Sequence, residues 1–261
     1  MKGATPEGAR SEREAAARVR GMFGRVAHRY DLANHLLSLN IDRWWRARTV
    51  RRVAPVLGRP GARVMDICCG TGDLVLALQR SSGGPVLGSD FCHPMLLAAR
   101  QKVAGRSAAV ALFESDALQL PVRDGSLDLL TVAFGFRNLA NYAAGLEEMR
   151  RVLRPGGMAA ILEFTQPPNA AFATVYHFYS RRILPWIGGA LSGSRDAYAY
   201  LPESVRKFPR AAELAEDMRR AGFSDVEFEY FTGGIVALHL GRVGPASWPV
   251  ILAKPVRPRT S

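Results

Sequence analysis

The sequence predicts an α/β fold: a parallel sheet with helices on both faces, closed by a hairpin that adds an antiparallel strand at one edge. Three observations predict it. Short apolar runs alternate with helical patterns between about residues 61 and 166. The first run, Val64-Met65-Asp66-Ile67, breaks into Gly70-Thr71-Gly72 and passes straight into a helical pattern from Leu74. Near the end, Val226 to Phe231 alternates with period two, turns at Gly233-Gly234 and returns as Ile235 to Leu240.

In chain order, residues 1–12 hold Gly, Pro and charge with no apolar face, and read as a disordered arm. Residues 13–60 read as N-terminal helices forming a lid. Val19, Met22, Phe23, Val26, Ala27 and Tyr30 recur at helical spacing. Asp42 is the expected N-cap of a second helix that carries Trp45, Thr49, Val53 and Val56. A polar knot of Tyr30, Asp31, Asn34 and His35 lies between these helices, just before the core.

The core, 61–166, continues with Val86 to Asp90 as the second strand and a helix from Pro94 to Val103. Val110 to Glu114 and Leu127 to Phe134 are the third and fourth strands. A helix over 142–153 ends at Pro155-Gly156-Gly157, and Met158 to Phe164 is the fifth strand. An insertion, 167–208, precedes a final helix and hairpin over 209–241. Residues 242–261, with four prolines, read as a flexible tail.

A strand, a glycine turn and a helix start form an element that cradles a nucleotide, because a Cβ would hold the ligand away from the backbone. The turn is shorter than a dinucleotide fingerprint and lacks the Lys-Ser/Thr pair of a phosphate loop. Asp90 follows about twenty residues later at a strand tip, where a carboxylate accepts both hydroxyls of a ribose. Adenosine without a pyrophosphate points to S-adenosylmethionine.

The 261 residues carry 48% hydrophobic and 22% charged side chains, enough for one sizeable core. A net charge of +12 favours an anionic partner, either nucleic acid or a membrane surface. No run of 18 apolar residues is present, and the first residues lack the apolar centre of a signal peptide. Three cysteines (Cys68, Cys69, Cys92) do not make a disulfide framework and lack metal-site spacing, so a cytoplasmic protein with no metal is expected.

A doubly wound sheet closed by a hairpin, with this turn after its first strand, is the Rossmann-like, seven-stranded architecture of class I S-adenosylmethionine-dependent methyltransferases. The resemblance then narrows. From about Phe23 to Gly241 the chain resembles the menaquinone/ubiquinone biosynthesis C-methyltransferase family. It is carried by F-G-R-V-A-H-R-Y-D-L-A-N, D-I-C-C-G-T-G-D, S-D-F-C-H-P-M-L, A-F-G-F-R-N-L, R-V-L-R-P-G-G and Y-L-P-E-S-V-R-K-F-P. The glycine turn and R-P-G-G recur in many methyltransferases; F-G-F-R-N and Y-L-P-E-S-V-R-K-F-P are specific to the family.

The resemblance implies methylation of a ring carbon of a polyprenylated quinol. It also implies cofactor contacts at Thr71, Asp90, Asp116 and Ala117, to which the turn adds Gly70 and Gly72, and the strand end Phe91. Cys68-Cys69 stands where many members carry Ala-Gly or Gly-Gly, and Ala133 where ubiquinone-type members often carry Ser. Both departures favour demethylmenaquinol over the ubiquinone precursor, 2-methoxy-6-polyprenyl-1,4-benzoquinol.

Methylating an aromatic carbon requires an electron-rich ring held in line with the sulfonium methyl, and an ionised ring hydroxyl makes the carbon far more nucleophilic. Arg137 and Asn138, just beyond the fourth strand, are the candidates for facing the ring oxygen, with Tyr30, His28 or a water relaying its proton. The competing role for Arg137 is an ion pair with a carboxylate near the sheet end.

In the insertion, Phe172, Val175, Tyr179, Ile183 and Trp186 recur at about helical spacing beside Arg181 and Arg182. This reads either as a packed extra helix or as an apolar wall for an isoprenoid chain, with the two arginines on lipid phosphates. The expected partners are the quinol and an anionic surface, met at the cytoplasmic face of the inner membrane, with homo-oligomerisation left open. An RNA methyltransferase is the rival reading suggested by charge, but no Asn/Asp-Pro-Pro-aromatic motif follows strand four and no nucleic-acid module is present. A non-enzymatic S-adenosylmethionine binder is the other rival.

Overall fold

A computed structural model describes residues 3–4, 6, 8–27, 31, 35, 38, 40–104, 109–178 and 195–244. Seven strands form one sheet: β1 (Val64–Ile67), β2 (Val86–Asp90), β3 (Val110–Glu114), β4 (Leu127–Ala133), β5 (Leu153–Phe164), β6 (Phe223–Phe231) and β7 (Val236–Val243). Their spatial order is β3-β2-β1-β4-β5-β7-β6. Strands β1 to β5 are mutually parallel, and β7 runs antiparallel to both of its neighbours. The α/β class and the seven strands are as the sequence predicts.

The position of the antiparallel strand differs. It is β7, one place in from the edge, and β6 forms the edge itself. Burial explains the exchange: β7 is buried along Val236 to Gly241, which demands cover on both faces, whereas β6 is intermediate or exposed at every residue between its buried ends and tolerates a solvent side. The strand also continues two residues into the expected tail, where Arg242 pairs with Met158 and Val243 with Phe223.

Eight helices are described: α1 (Glu12–Val26), α2 (Ile41–Leu57), α3 (Asp73–Gln79), α4 (His93–Ala104), α5 (Tyr142–Val152), α6 (Ala170–Phe178), α7 (Arg195–Lys207) and α8 (Ala211–Arg220). The pleat of β1 divides the core. Val64 packs with Trp45, Val53, Val56 and Leu57 of α2 and with α3 on one face. Met65 and Ile67 pack with Leu146 and Met149 of α5 and Leu214 and Met218 of α8 on the other.

At the N-terminus, Ser11 caps α1 by accepting the Glu14 N–H. Within the stretch read as a disordered arm, Ala4 is buried and donates its backbone N–H to Leu139 O at 2.7 Å. The N-cap of α2 is Asn40 in a left-handed conformation, in place of the expected Asp42. Asp42 is instead buried inside the first turn, where it accepts from Ser38 Oγ and Arg46. A carboxylate satisfied by side chains has nothing to offer the helix amides. Tyr179, Arg181, Arg182, Ile183 and Trp186 of the insertion lie outside the described residues.

Candidate active site

Strand order reverses direction between β1 and β4, so their carboxyl ends diverge and open a crevice. A cavity of about 340 Å³ occupies it, lined from the sheet by Gly70, Asp90, Phe134 and Phe164 and roofed by α1 and α2 through Phe23, Ile41 and Trp45. The backbone is unusual here. Cys68 after β1 and Phe134 after β4 both hold left-handed conformations, at φ 50° and 60°. They meet closely enough that a Cβ on Gly135 would lie 2.4 Å from Cys68 Cβ, so only glycine fits.

The glycine turn is built as the sequence suggests. Gly70 has φ 55°, and a Cβ there would meet no protein atom within 4 Å, which leaves that side of the turn to the cavity. Gly72, at φ 86°, is the left-handed N-cap of α3 and packs toward Ala99, so it shapes the turn from behind. Asp90 is 7% exposed. Its Oδ2 accepts the Gly70 N–H and its Oδ1 the Cys92 N–H, each at 2.8 Å. Burial pushes this carboxyl above its ordinary range against the pull of those N–H groups. Each oxygen keeps a lone pair for a ligand hydroxyl.

Thr71, Phe91, Asp116 and Ala117 also line the cavity. Asp116 Oδ1 accepts the Leu118 N–H at 2.9 Å, which holds the loop after β3 in place. Ser115 Oγ beside it is buried and has no hydrogen-bond partner among the described residues. An open glycine turn, a carboxylate at the β2 tip and an orphaned hydroxyl after β3 fit a nucleoside whose sugar and base need polar partners.

Arg137 and Asn138 both reach the cavity, on a 3₁₀ turn after β4. Arg137 is bound from beneath: Nη1 lies 2.8 Å from Glu163 Oε1 and 2.6 Å from Phe134 O, and Nε donates to Ser204 Oγ at 3.3 Å. Its guanidinium also lies 5.4 Å from the Phe164 ring centroid. The ion pair that the sequence allowed as the competing role is therefore present. Tyr30 and His28 lie outside the described residues.

Several features escaped sequence reading. Asp66, mid-strand in β1, lines the cavity, and Thr131 donates to it at 2.5 Å across the Asp66–Thr131 register pair. Burial raises its carboxyl to about 7. An acid inside an apolar strand was the available signal. Trp45, Phe134 and Phe164 form an aromatic wall with ring centroids 4.8 to 6.0 Å apart. Trp45 is held by an indole N–H bond to Thr232 Oγ1 at 2.9 Å.

An ionic cluster joins the lid to the turn. Thr71 donates to Asp31, and Lys102 Nζ lies 2.6 Å from both Asp31 and Asp73. His35, Asp42 and Asp73 bring ligand-type atoms within 4.8 Å of one another, but Arg46 and Lys102 already supply the positive charge there. Burial pushes the Cys68 and Cys69 thiols well up, which keeps both protonated and inert.

The model of the ubiE/COQ5 methyltransferase family matches residues 11–243. A demethylmenaquinone methyltransferase from Thermus thermophilus is 48% identical over 84% of this chain and 99% of its own. Proteins of the same name from Deinococcus radiodurans and Geobacillus kaustophilus are 44% and 42% identical, over 85% and 86% of this chain and 91% and 96% of theirs. Among solved structures, a SAM-dependent methyltransferase from Thermotoga maritima superposes with a TM-score of 0.61 at 17% identity, over 86% of this chain and 99% of its own. Another from Aquifex aeolicus gives 0.54 at 20%, over 74% and 89%. At that identity the structures speak for the fold.

Proposed function

The chain belongs to the ubiE/COQ5 methyltransferase family and is an S-adenosylmethionine-dependent methyltransferase, and from that premise we propose that it methylates a ring carbon of demethylmenaquinol. The substrate follows from what the relatives are called. The structural observation that supports it is the Trp45–Phe134–Phe164 group, an apolar aromatic corner whose rings are tilted 39° to 86° to one another, lining the same cavity as the glycine turn.

When bound, S-adenosylmethionine supplies an electrophilic methyl on sulfur. Gly70 and Thr71 would border it, Asp90 would accept its ribose hydroxyls, and Asp116 with Ala117 would bracket its adenine. On the substrate side, the aromatic wall orients the ring, and α1 and α2 keep water from the cavity. The ring oxygen feeds electrons to the carbon that forms the new bond, and the proton on that carbon leaves to restore aromaticity. Arg137 is proposed to act as a fixed positive end of its pair with Glu163, contributing field rather than a movable hydrogen bond. Asn138 would face the ring oxygen, and Tyr30, His28 or a water would relay its proton.

The isoprenoid tail keeps such a substrate in a bilayer, since each CH₂ returned to water costs about 0.8 kcal/mol. Among the described residues no helix is long and apolar enough to cross a membrane. Surface association is therefore proposed, through exposed apolar side chains. Ile41, Trp44 and Phe172 are 36%, 49% and 38% exposed. Two of them meet at the turn after β6, where Trp44 packs edge-on to Phe231 at 5.4 Å and Phe172 covers Gly233, while Ile41 lines the cavity. Arg181 and Arg182 would add charge toward anionic lipid.

The test is turnover. Purified protein with S-adenosylmethionine and a short-tailed demethylmenaquinol should release S-adenosylhomocysteine and a ring-methylated quinol seen by mass spectrometry. Methylation of tRNA or rRNA in its place would overturn the reading.

A further inference from the structure

The cavity wall contains a hydroxyl that has no hydrogen-bond partner among the described residues. Tyr200 stands on α7 and lines the cavity together with Asn138 and Phe164. Its Oη is closed to solvent and has no hydrogen-bond partner. Asn138 Oδ1, on the turn against which α7 packs, is also buried and unbonded. Buried polar atoms are rarely left unpaired. Two of them in one cavity wall mark a place where a polar group of the ligand belongs.

The surroundings narrow its chemistry. Arg137 and Glu163 both act on Tyr200 with opposite sign, but Arg137 Nη1 and Nε are engaged by Glu163, Phe134 O and Ser204. The aromatic side of the same space is closed by Phe164, whose ring lies tilted against Phe134 with centroids 4.8 Å apart.

We propose that Tyr200 donates its O–H to a ring oxygen of the quinol, orienting the ring and stabilising the oxygen as it ionises, and is thus a catalytic residue. The inference rests on the quinol reading above. Burial pushes the Tyr200 hydroxyl up to about 12, only partly opposed by Arg137, so the group keeps its proton. It is a donor to the ring oxygen and leaves the role of base to another group.

Tyr200→Phe in the full-length enzyme tests this. Removing an unpartnered hydroxyl should leave the melting temperature equal or higher, and S-adenosylmethionine affinity by calorimetry within about twofold. Turnover of a short-tailed demethylmenaquinol should lose about tenfold to a hundredfold in kcat/KM, the range for a hydrogen bond to a charged group. The acidic limb of the kcat profile should move up by roughly one pH unit, because the bound ring hydroxyl ionises less readily without its donor. Wild type should also bind 1-naphthol more tightly than naphthalene, and Tyr200→Phe should bind the two alike. Wild-type turnover matched within threefold by the variant, with superposable pH profiles, overturns the role of Tyr200 and leaves the quinol reading standing. A lowered melting temperature with an unmoved profile makes the residue structural and also overturns it. No quinol turnover by wild type overturns both.

Discussion

Arg137 Nη1 lies 2.8 Å from Glu163 Oε1, with both side chains at or below 5% exposure. Breaking such a pair leaves a buried charge uncompensated, at a cost of about 3–5 kcal/mol. Arg137→Met should therefore lose both turnover and several kcal/mol in urea denaturation. A variant as stable as wild type but without activity would place the guanidinium's whole contribution in the reaction.

Asp66 sets a pH dependence of stability. Its carboxyl rises from 3.8 to about 7 on folding, with burial as the main cause and Thr131 opposing. Between those values the folded protein holds a proton that the unfolded chain has released. The stabilisation is thus complete below about pH 4 and fades as pH rises toward 7. A rise of that size is worth at most about 4 kcal/mol. Asp66→Asn carries no titrating proton, so its stability relative to wild type should climb between pH 4 and 8. Parallel stability curves for the two proteins would refute the assignment.

Lys102 holds Asp31, Asp73 and the Thr71 hydroxyl together, at 2.6, 2.6 and 3.2 Å. Lys102→Met should release Thr71 from the lid and weaken S-adenosylmethionine binding about tenfold, the worth of one charged hydrogen bond. Calorimetry reads this directly, and an unchanged affinity would show that the cluster does not support the turn.

Trp44 and Phe172 are exposed beside the turn after β6. Trp44→Glu with Phe172→Glu should abolish sedimentation with anionic liposomes and lower turnover of long-tailed quinols more than of short-tailed ones. High salt should release the wild type, because each basic residue near an anionic leaflet adds about 1 kcal/mol that salt screens. Wild-type binding to neutral and anionic liposomes alike would refute an electrostatic share.

The strands β1 to β5, the glycine turn and the acid at the β2 tip were legible because each is a local signal. Val64, Met65 and Ile67 are apolar, Gly70 holds a left-handed conformation, and Asp90 ends its own strand. The contents of the cavity were less legible. Tyr200 lies 62 residues beyond Asn138 in the chain, and its neighbours in sequence say nothing of a shared wall.

By itself, then, the sequence determined the elements, their alternation and the position of the cofactor turn, since backbone propensity and apolar period act over a few residues. Tertiary structure alone decided which side chains meet. The pleat turned Asp66 toward the α2 face with Val64, while Met65 and Ile67 went to the opposite one. Packing of β5 beside β4 brought Glu163 beneath Arg137 and gave the guanidinium a buried partner 26 positions away. Cover on both faces drew β7 inside the sheet and left β6 at its edge, because a strand buried along its length cannot border solvent.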